Sequence, residues 1–305
     1  MQKSYINSDL SIVIVNYRGW ERLNICLERI KNISSQIIVV DNNSNDKKIH
    51  FYRNKFKKVT WIVNEFNSGF SNGCNIGAKI VKNKWILFLN PDTIIEEKTL
   101  KTLIQYCDLN SKFHLITIKQ LDEKNKNTHP YGIFPNFINI IPIFRTFERI
   151  FLKKNQRYKI ISNSEIAYPD WISGSFILIR NKHFKELNGW DENFWMYCED
   201  VDFSLRASKI GLNRVILNNW KCIHIHGGSS RIDIKTKVIT KTEVIISTQK
   251  YINKHFNNKT KMITTIYYLI YKLVELIIQF PFSNLKRKIL IRLIKYYVKK
   301  SPLYK

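Results

Sequence analysis

Glu199, Asp200 and Asp202 fall within four residues inside the aromatic run Phe194-Trp-Met-Tyr-Cys-Glu-Asp-Val-Asp-Phe203. Carboxylates this close repel, so such a cluster needs a cation, a basic partner or a proton to hold it. Helical spacing puts Glu199 and Asp202 on one face and aims Asp200 elsewhere. Acids in a first helical turn also favour the helix dipole. The two readings are compatible: one acid caps a helix while its neighbour performs chemistry.

Two further stretches carry ligand-type side chains. Cys222-Ile-His-Ile-His-Gly-Gly-Ser-Ser230 sets His224 and His226 on one face of a strand-like segment. Trp85-Ile-Leu-Phe-Leu-Asn-Pro-Asp-Thr93 reads as a buried strand that stops at Asn90-Pro91-Asp92. Pro91 lacks a ladder donor and holds Asn90 out of helical geometry. Asp92 and the histidines could form a carboxylate–imidazole site suited to Mn²⁺ or Mg²⁺, although no spacing rule compels it.

The elements that must position these residues follow from periodicity. Ser11–Val15, Ile37–Asp41, Val59–Val63 and Trp85–Asn90 are β-rich. Helical spacing runs through residues 20–31, and a further helix is predicted to end near Val81. Strand and helix alternate as in a parallel sheet with crossover helices. Ligands bind such sheets at the carboxyl ends of the strands. Asn16-Tyr17, Asp41-Asn42-Asn43 and Asn90-Pro91-Asp92 all fall there. Asn and Asp also make ordinary turns, but three such loops at equivalent strand ends favour a site.

No GxGxxG follows the first strand and no GxxxxGK[ST] occurs, so neither a dinucleotide fingerprint nor a P-loop is supported. The Gly69, Gly73 and Gly77 spacing fits either backbone approach to a phosphate or a turn entering a helix. Residues 120–170, with Pro130, Pro135, Pro142 and Pro169, read as an irregular insertion. Phe113–Ile118 and Trp171–Arg180 are the strands expected around it.

With 44% hydrophobic residues, the 305-residue chain supports a sizeable core. Five scattered cysteines with no CxxC pair favour reduced, structural thiols and a cytosolic setting. The N-terminus lacks the apolar region of a secretory signal. Net charge is +26, and residues 231–305 contribute +14 of it, with 17 Lys and Arg against 3 Asp and Glu. Such a tail attracts an anionic partner, nucleic acid or an acidic membrane face.

Taken together, SIVIVNYRGW, IIVVDNNSND, NEFNSGFSNGCNIG, WILFLNPDT, WISGSFILIR, LNGWDENFWMYCEDVDFSLR and IHIHGGSS resemble glycosyltransferase family 2, in its rhamnosyltransferase-like branch. These pieces occur in the family's order over roughly residues 10–230. The resemblance implies a GT-A fold: a Rossmann-like α/β domain with a mostly parallel central sheet flanked by helices. It implies that Asn16 and Tyr17 line a nucleoside pocket and that Asp41, with Asn43 beside it, bonds base or ribose. Asn67, Gly69 and Asn75 would lie along the nucleotide side of the cleft. Asp92 matches the last acid of the family's DxD motif, and Asn90 replaces the first. Asp92 would therefore meet a divalent cation, Mg²⁺ or Mn²⁺, with His224 preferred over His226 as a second ligand. Glu199-Asp200 matches the family's ED motif, whose Asp is the catalytic base. Asp202 is expected to pair with Arg206 at i+4. Trp171, Gly174 and Trp195 would border sugar and acceptor, or sit in the core.

The implied reaction is inverting transfer from a nucleotide-diphosphate sugar, with dTDP-L-rhamnose favoured. The acceptor would be a glycan or polyprenyl-linked glycan in bacterial surface polysaccharide synthesis. The division expected is a catalytic domain over residues 1–235 and a helical basic region over 236–305. Residues 262–280 approach the length of a membrane span, but Lys272 and Glu275 interrupt them. Lys286–Lys300 alternates bases with apolar pairs and fits a basic amphipathic helix on an anionic bilayer, a peripheral location at the inner membrane face. The competing readings are a basic nucleic-acid-binding protein and a sugar-nucleotide nucleotidyltransferase. The first lacks any recognised binding motif, and the acid cluster would repel phosphate.

Overall fold

The computed structural model describes residues 9–141, 161, 163–225 and 233–299. The described residues divide into two compact units. One lies within Met1–Phe134, Lys159–Glu192 and Glu199–Ser229, and the other within Pro135–Tyr158, Asn193–Cys198 and Ser230–Lys305.

The first unit is built on a mixed nine-stranded sheet. Its parallel half has the order β3 (Thr60–Val63), β2 (Gln36–Asp41), β1 (Leu10–Asn16), β4 (Trp85–Leu89). β1 and β4 are buried along their whole length, as expected of central strands covered on both faces. Helices α1 (Trp20–Ile30), α2 (Lys48–Lys55) and α3 (Phe70–Lys79) make the crossovers. α1 buries Trp20, Leu23, Cys26, Leu27 and Ile30, one face of a 3.6-residue period.

α3 carries glycine where β1 is closest. A Cβ at Gly73 would come 2.8 Å from Val15 Cγ1, and one at Gly77 would come 2.5 Å from Val13 Cγ1. These two glycines therefore serve close helix–sheet packing. Gly69 alone, at φ 90°, makes the turn into the helix.

After β4 come β5 (Thr93–Ile94), α4 (Glu97–Leu109), β6 (Leu115–Leu121), and the two-residue strands β7 (Tyr131–Gly132), β8 (Ile166–Ala167) and β9 (Trp171–Ile172). β10 (Phe176–Arg180), α5 (Asn181–Glu186), α6 (Glu199–Lys209) and β11 (Arg214–His224) complete the unit. β10 runs antiparallel between β4 and β6, and β11 pairs with β6, β5 and β8. The stretch Trp171–Arg180, expected as one strand, is two strands in different sheets. Its Ser173–Ser175 segment turns out of the ladder, and Asn90 N donates to Ser175 O at 3.0 Å. All five cysteines are free thiols. Burial pushes Cys26, Cys107 and Cys222 up to about 12, which suits inert core residues.

The second unit is helical: α7 (Ile234–His255), α8 (Asn258–Gln279) and α9 (Asn284–Lys299). Asp233 and Asn257 cap α7 and α8 by accepting from Thr236 N and Thr260 N. Val238, Ile245, Ile246 and Ile252 of α7 pack with Tyr268, Leu276, Ile289 and Leu293, closing a core that also takes in Ile140 and Ile141. Residues 193–198 belong here too. Ser247 Oγ donates to Met196 O at 3.0 Å, and Lys250 Nζ donates to Asn193 O at 2.7 Å.

Candidate active site

Parallel register places Asn16 beside Asp41 at the carboxyl edge of the sheet. Asn16 Nδ2 donates to Asp41 Oδ1 at 3.0 Å, and Asn16 Oδ1 accepts from Gly19 N. Asp41 also accepts from Ser44 N and Ser44 Oγ. Asp41 is buried, and its pKa is raised because lost hydration outweighs these bonds. Both side chains thus build the floor of the loop. Tyr17, partly exposed beneath the Arg18 guanidinium, is the more open neighbour.

The next two loops are stitched by asparagines. Asn42 donates to Gly69 O and accepts from Asn64 Nδ2, while Asn43, at φ 59°, donates to Glu65 O. Asn67 Oδ1 accepts from Gly69 N at 3.1 Å. Asn75 reaches the other way. Its amide brackets Trp190, accepting from its N and donating to its O, and it also donates to Glu192.

Asp92 sits where β4 has ended and β5 begins, and the β11–β5 register sets His224 opposite Thr93. His224 Nε2 lies 3.3 Å from Asp92 Oδ1, and both residues are buried. Arg22 Nη1 stands 3.9 Å from Asp92 Oδ2. His224 Nδ1 meets Gln120 Oε1 at 3.0 Å, and Gln120 Nε2 donates to Ser175 Oγ at 2.9 Å. The Gln120 amide oxygen anchors the ring at Nδ1 and leaves Nε2 turned towards Asp92. Asp92 Oδ1 accepts no hydrogen bond among the described residues.

An imidazole nitrogen and a carboxylate oxygen facing each other in a buried position are ligand types that a divalent cation would take. The described residues contain no group of three or more His, Cys, Asp or Glu suited to a metal, so further ligands would come from a bound diphosphate or water. His226 lies outside the described residues.

Asp200 is the second residue of α6 and is half-buried. Gly174 N donates to its Oδ2 at 3.2 Å and Val201 N to its Oδ1 at 2.9 Å. Loss of hydration outweighs these bonds and pushes its pKa up to about 6. Its neighbour Glu199 is buried. Asp202 is fully buried and takes Arg206 Nε at 2.8 Å, the expected i+4 pair. Arg206 continues to Leu187 O and Gly189 O and so ties α6 to that turn.

Gly174 and Ser175 join the two centres. The chain runs from Asp200 to Gly174 N, through Ser175 Oγ and Gln120 to His224, which faces Asp92. Trp171 packs on Gly132 and donates from Nε1 to Ile133 O at 3.1 Å. Trp195 lies on residues 193–198 of the second unit and is partly buried.

Sequence reasoning missed Gln120, Ser175, Ser44 and Arg22. Gln120 has no exposed surface in the strand LITIKQL, a burial that its sequence context of Thr117, Lys119 and Gln120 did not announce.

The site thus sets a half-buried carboxylate whose pKa is raised and a carboxylate–imidazole pair at the strand ends of an α/β sheet. The family model for Glycosyl transferase family 2 matches residues 11–172. The chain belongs to that family. Asp200, Glu199, Gly174 and His224 lie beyond the matched range. The chain is 33% identical over 165 residues to the rhamnosyltransferase WbbL of Escherichia coli (strain K12), covering 51% of this chain and 60% of that protein. It thus spans about 60% of the length of that relative. Among solved structures, S. aureus TarS 1-349 aligns with TM-score 0.52 at 16% identity, over 96% of this chain and 75% of that one. GalNAc-T7, solved with UDP, GalNAc and Mn²⁺, aligns with TM-score 0.55 at 13% identity, over 87% and 55%. These likenesses establish the GT-A fold.

Proposed function

We propose that the chain is an inverting glycosyltransferase. It moves a rhamnose-like sugar from a nucleoside-diphosphate donor, dTDP-L-rhamnose first among candidates, to a glycan or polyprenyl-linked glycan. The step forms a bond between the acceptor oxygen and the anomeric carbon as the carbon–phosphate oxygen bond breaks. Asp200 takes the acceptor proton, and the electron pair leaves with the nucleoside diphosphate. Asp92 and His224 would hold a divalent cation, whose charge offsets that growing on the leaving group. Gly174, through its N–H on Asp200, fixes the base, while Asn16, Asp41 and Ser44 shape the loop that receives the nucleoside.

The observation that carries this reading is that adjacent Gly174 and Ser175 hydrogen-bond in opposite directions, Gly174 N to Asp200 and Ser175 Oγ through Gln120 to the His224 that faces Asp92. The rhamnosyl transfer for which the WbbL relative is named supports the sugar. The basic C-terminal residues support work at the inner face of a bacterial membrane, where lipid-linked acceptors are found. The test is a thermal-shift panel of nucleotide sugars with and without Mn²⁺, followed by transfer assays on the donor that stabilises. Stabilisation by dTDP-L-rhamnose that deepens with Mn²⁺ is the expected result. No response to any nucleotide sugar would overturn the reading.

A further inference from the structure

α8 is, among the described residues, the one helix long and apolar enough to cross a membrane by length and composition. Its two sides differ. Thr264, Tyr268 and Leu276 face inward and are buried with α7 and α9. Ile263, Ile266, Ile270, Leu273, Val274 and Ile277 recur at helical spacing on the outside, each 46–56% exposed. From Met262 to Ile278 this outward stripe runs about 24 Å at helical rise. An aliphatic stripe of that length is a binding surface rather than ordinary soluble surface.

Lys272 and Glu275, which interrupt the apolar run in sequence, do not interrupt the stripe. Glu275 accepts Lys272 Nζ at 2.8 Å and Lys286 Nζ at 2.6 Å, so the charges close on one another along the flank facing α9. α9 exposes a mixed face of Arg287, Lys288, Ile291, Ile294, Lys295 and Val298. Bases interleaved with aliphatics on one helix face suit the depth at which headgroups meet acyl chains.

We propose that the outward face of α8 docks flat into the interface of an anionic bilayer, with the α9 bases on its headgroups. A spanning orientation is disfavoured because one side of α8 closes the core of a packed unit. A second copy is the poorer occupant, because residues 231–305 carry +14 and two such faces repel, whereas anionic lipid complements them. The inference deepens the membrane reading above and rests on it, while naming α8 as the inserting element.

The test uses the full chain in flotation with phosphatidylglycerol-containing and pure phosphatidylcholine vesicles. Ile266→Glu with Ile270→Glu should lower affinity for the anionic vesicles by at least about tenfold. The folded state should be unchanged by circular dichroism, since both positions are exposed. Arg287→Gln with Lys288→Gln should weaken binding to anionic vesicles only. Wild-type affinity in the isoleucine double variant would overturn the α8 assignment and leave the membrane reading standing. No vesicle binding by the wild-type chain would overturn both. A dimer in light scattering, abolished by the isoleucine substitutions and with no vesicle binding, would assign the face to a second copy.

Discussion

Under the proposed function, Asp200 is the base. A carboxylate at the ordinary aspartate value would be a weak base, whereas one pushed up to about 6 is ionised at neutral pH and a better proton acceptor. The sign of the pH dependence follows. A base must be ionised to act, so kcat/KM should rise about tenfold per pH unit below 6 and level off above about 7. Asp200→Asn should lower transfer by about 100- to 10,000-fold while donor affinity in a thermal shift stays near wild type. Undiminished turnover, or a flat pH profile in the wild-type enzyme, would remove Asp200 as the base. At the Asp92 end of the site, the Gln120 oxygen lies 3.0 Å from His224 Nδ1 and anchors the ring that faces Asp92. His224→Ala and Gln120→Ala should each weaken Mn²⁺ binding in the presence of a nucleoside diphosphate by at least about tenfold, read as free Mn²⁺ by electron paramagnetic resonance. Asp200, Asp92 and His224 were singled out in the sequence by their side-chain chemistry and by the family resemblance. Gln120 and Ser175 were not, because they meet only through the β10–β6–β11 order, in which residues far apart in sequence become neighbours.

The elements show where periodicity suffices and where it fails. β1, β2, β3, β4, α1 and α3 were legible because unbroken apolar or helical patterns leave one packing solution. The Trp171–Arg180 stretch was not, because apolar residues flank Ser173–Ser175 on both sides while the segment's backbone bonds to Asn90 and Asp200. The glycines of α3 teach the same lesson from packing. Their spacing fitted a phosphate approach or a turn into a helix; Gly69 makes that turn, and Gly73 and Gly77 let the helix rest on Val15 and Val13. Gly77→Ala would gain helix propensity but force a methyl to 2.5 Å from Val13 Cγ1. Overpacking should prevail, with a net loss of about 1–3 kcal/mol in urea unfolding. A Val13→Ala partner substitution should recover part of it, since the clash is specific. An unchanged midpoint in Gly77→Ala would mean that the helix can lift from β1 at little cost.

For the whole molecule, the C-terminal region was legible as helical and basic, but its core was not. The sequence pattern suggests a tail that could be removed to test membrane attachment. The structure makes α8 and α9 the walls of a core whose floor is α7, including Val238, Ile245, Ile246 and Ile252. Deleting residues 262–305 would uncover those four side chains. Each buried aliphatic contributes about 1.5–3 kcal/mol, so the sum approaches the full stability of an ordinary domain. The truncated chain should therefore bind a hydrophobic dye, elute as aggregate and melt at lower temperature, whatever its affinity for lipid. A truncated chain that stays monomeric with an unchanged melting temperature would show that α7 holds its fold without α8 and α9. Otherwise, loss of the protein from membrane fractions after truncation would report unfolding as much as lost contact. Substitutions confined to the outward faces of α8 and α9 separate the two effects, because they leave the inward core intact.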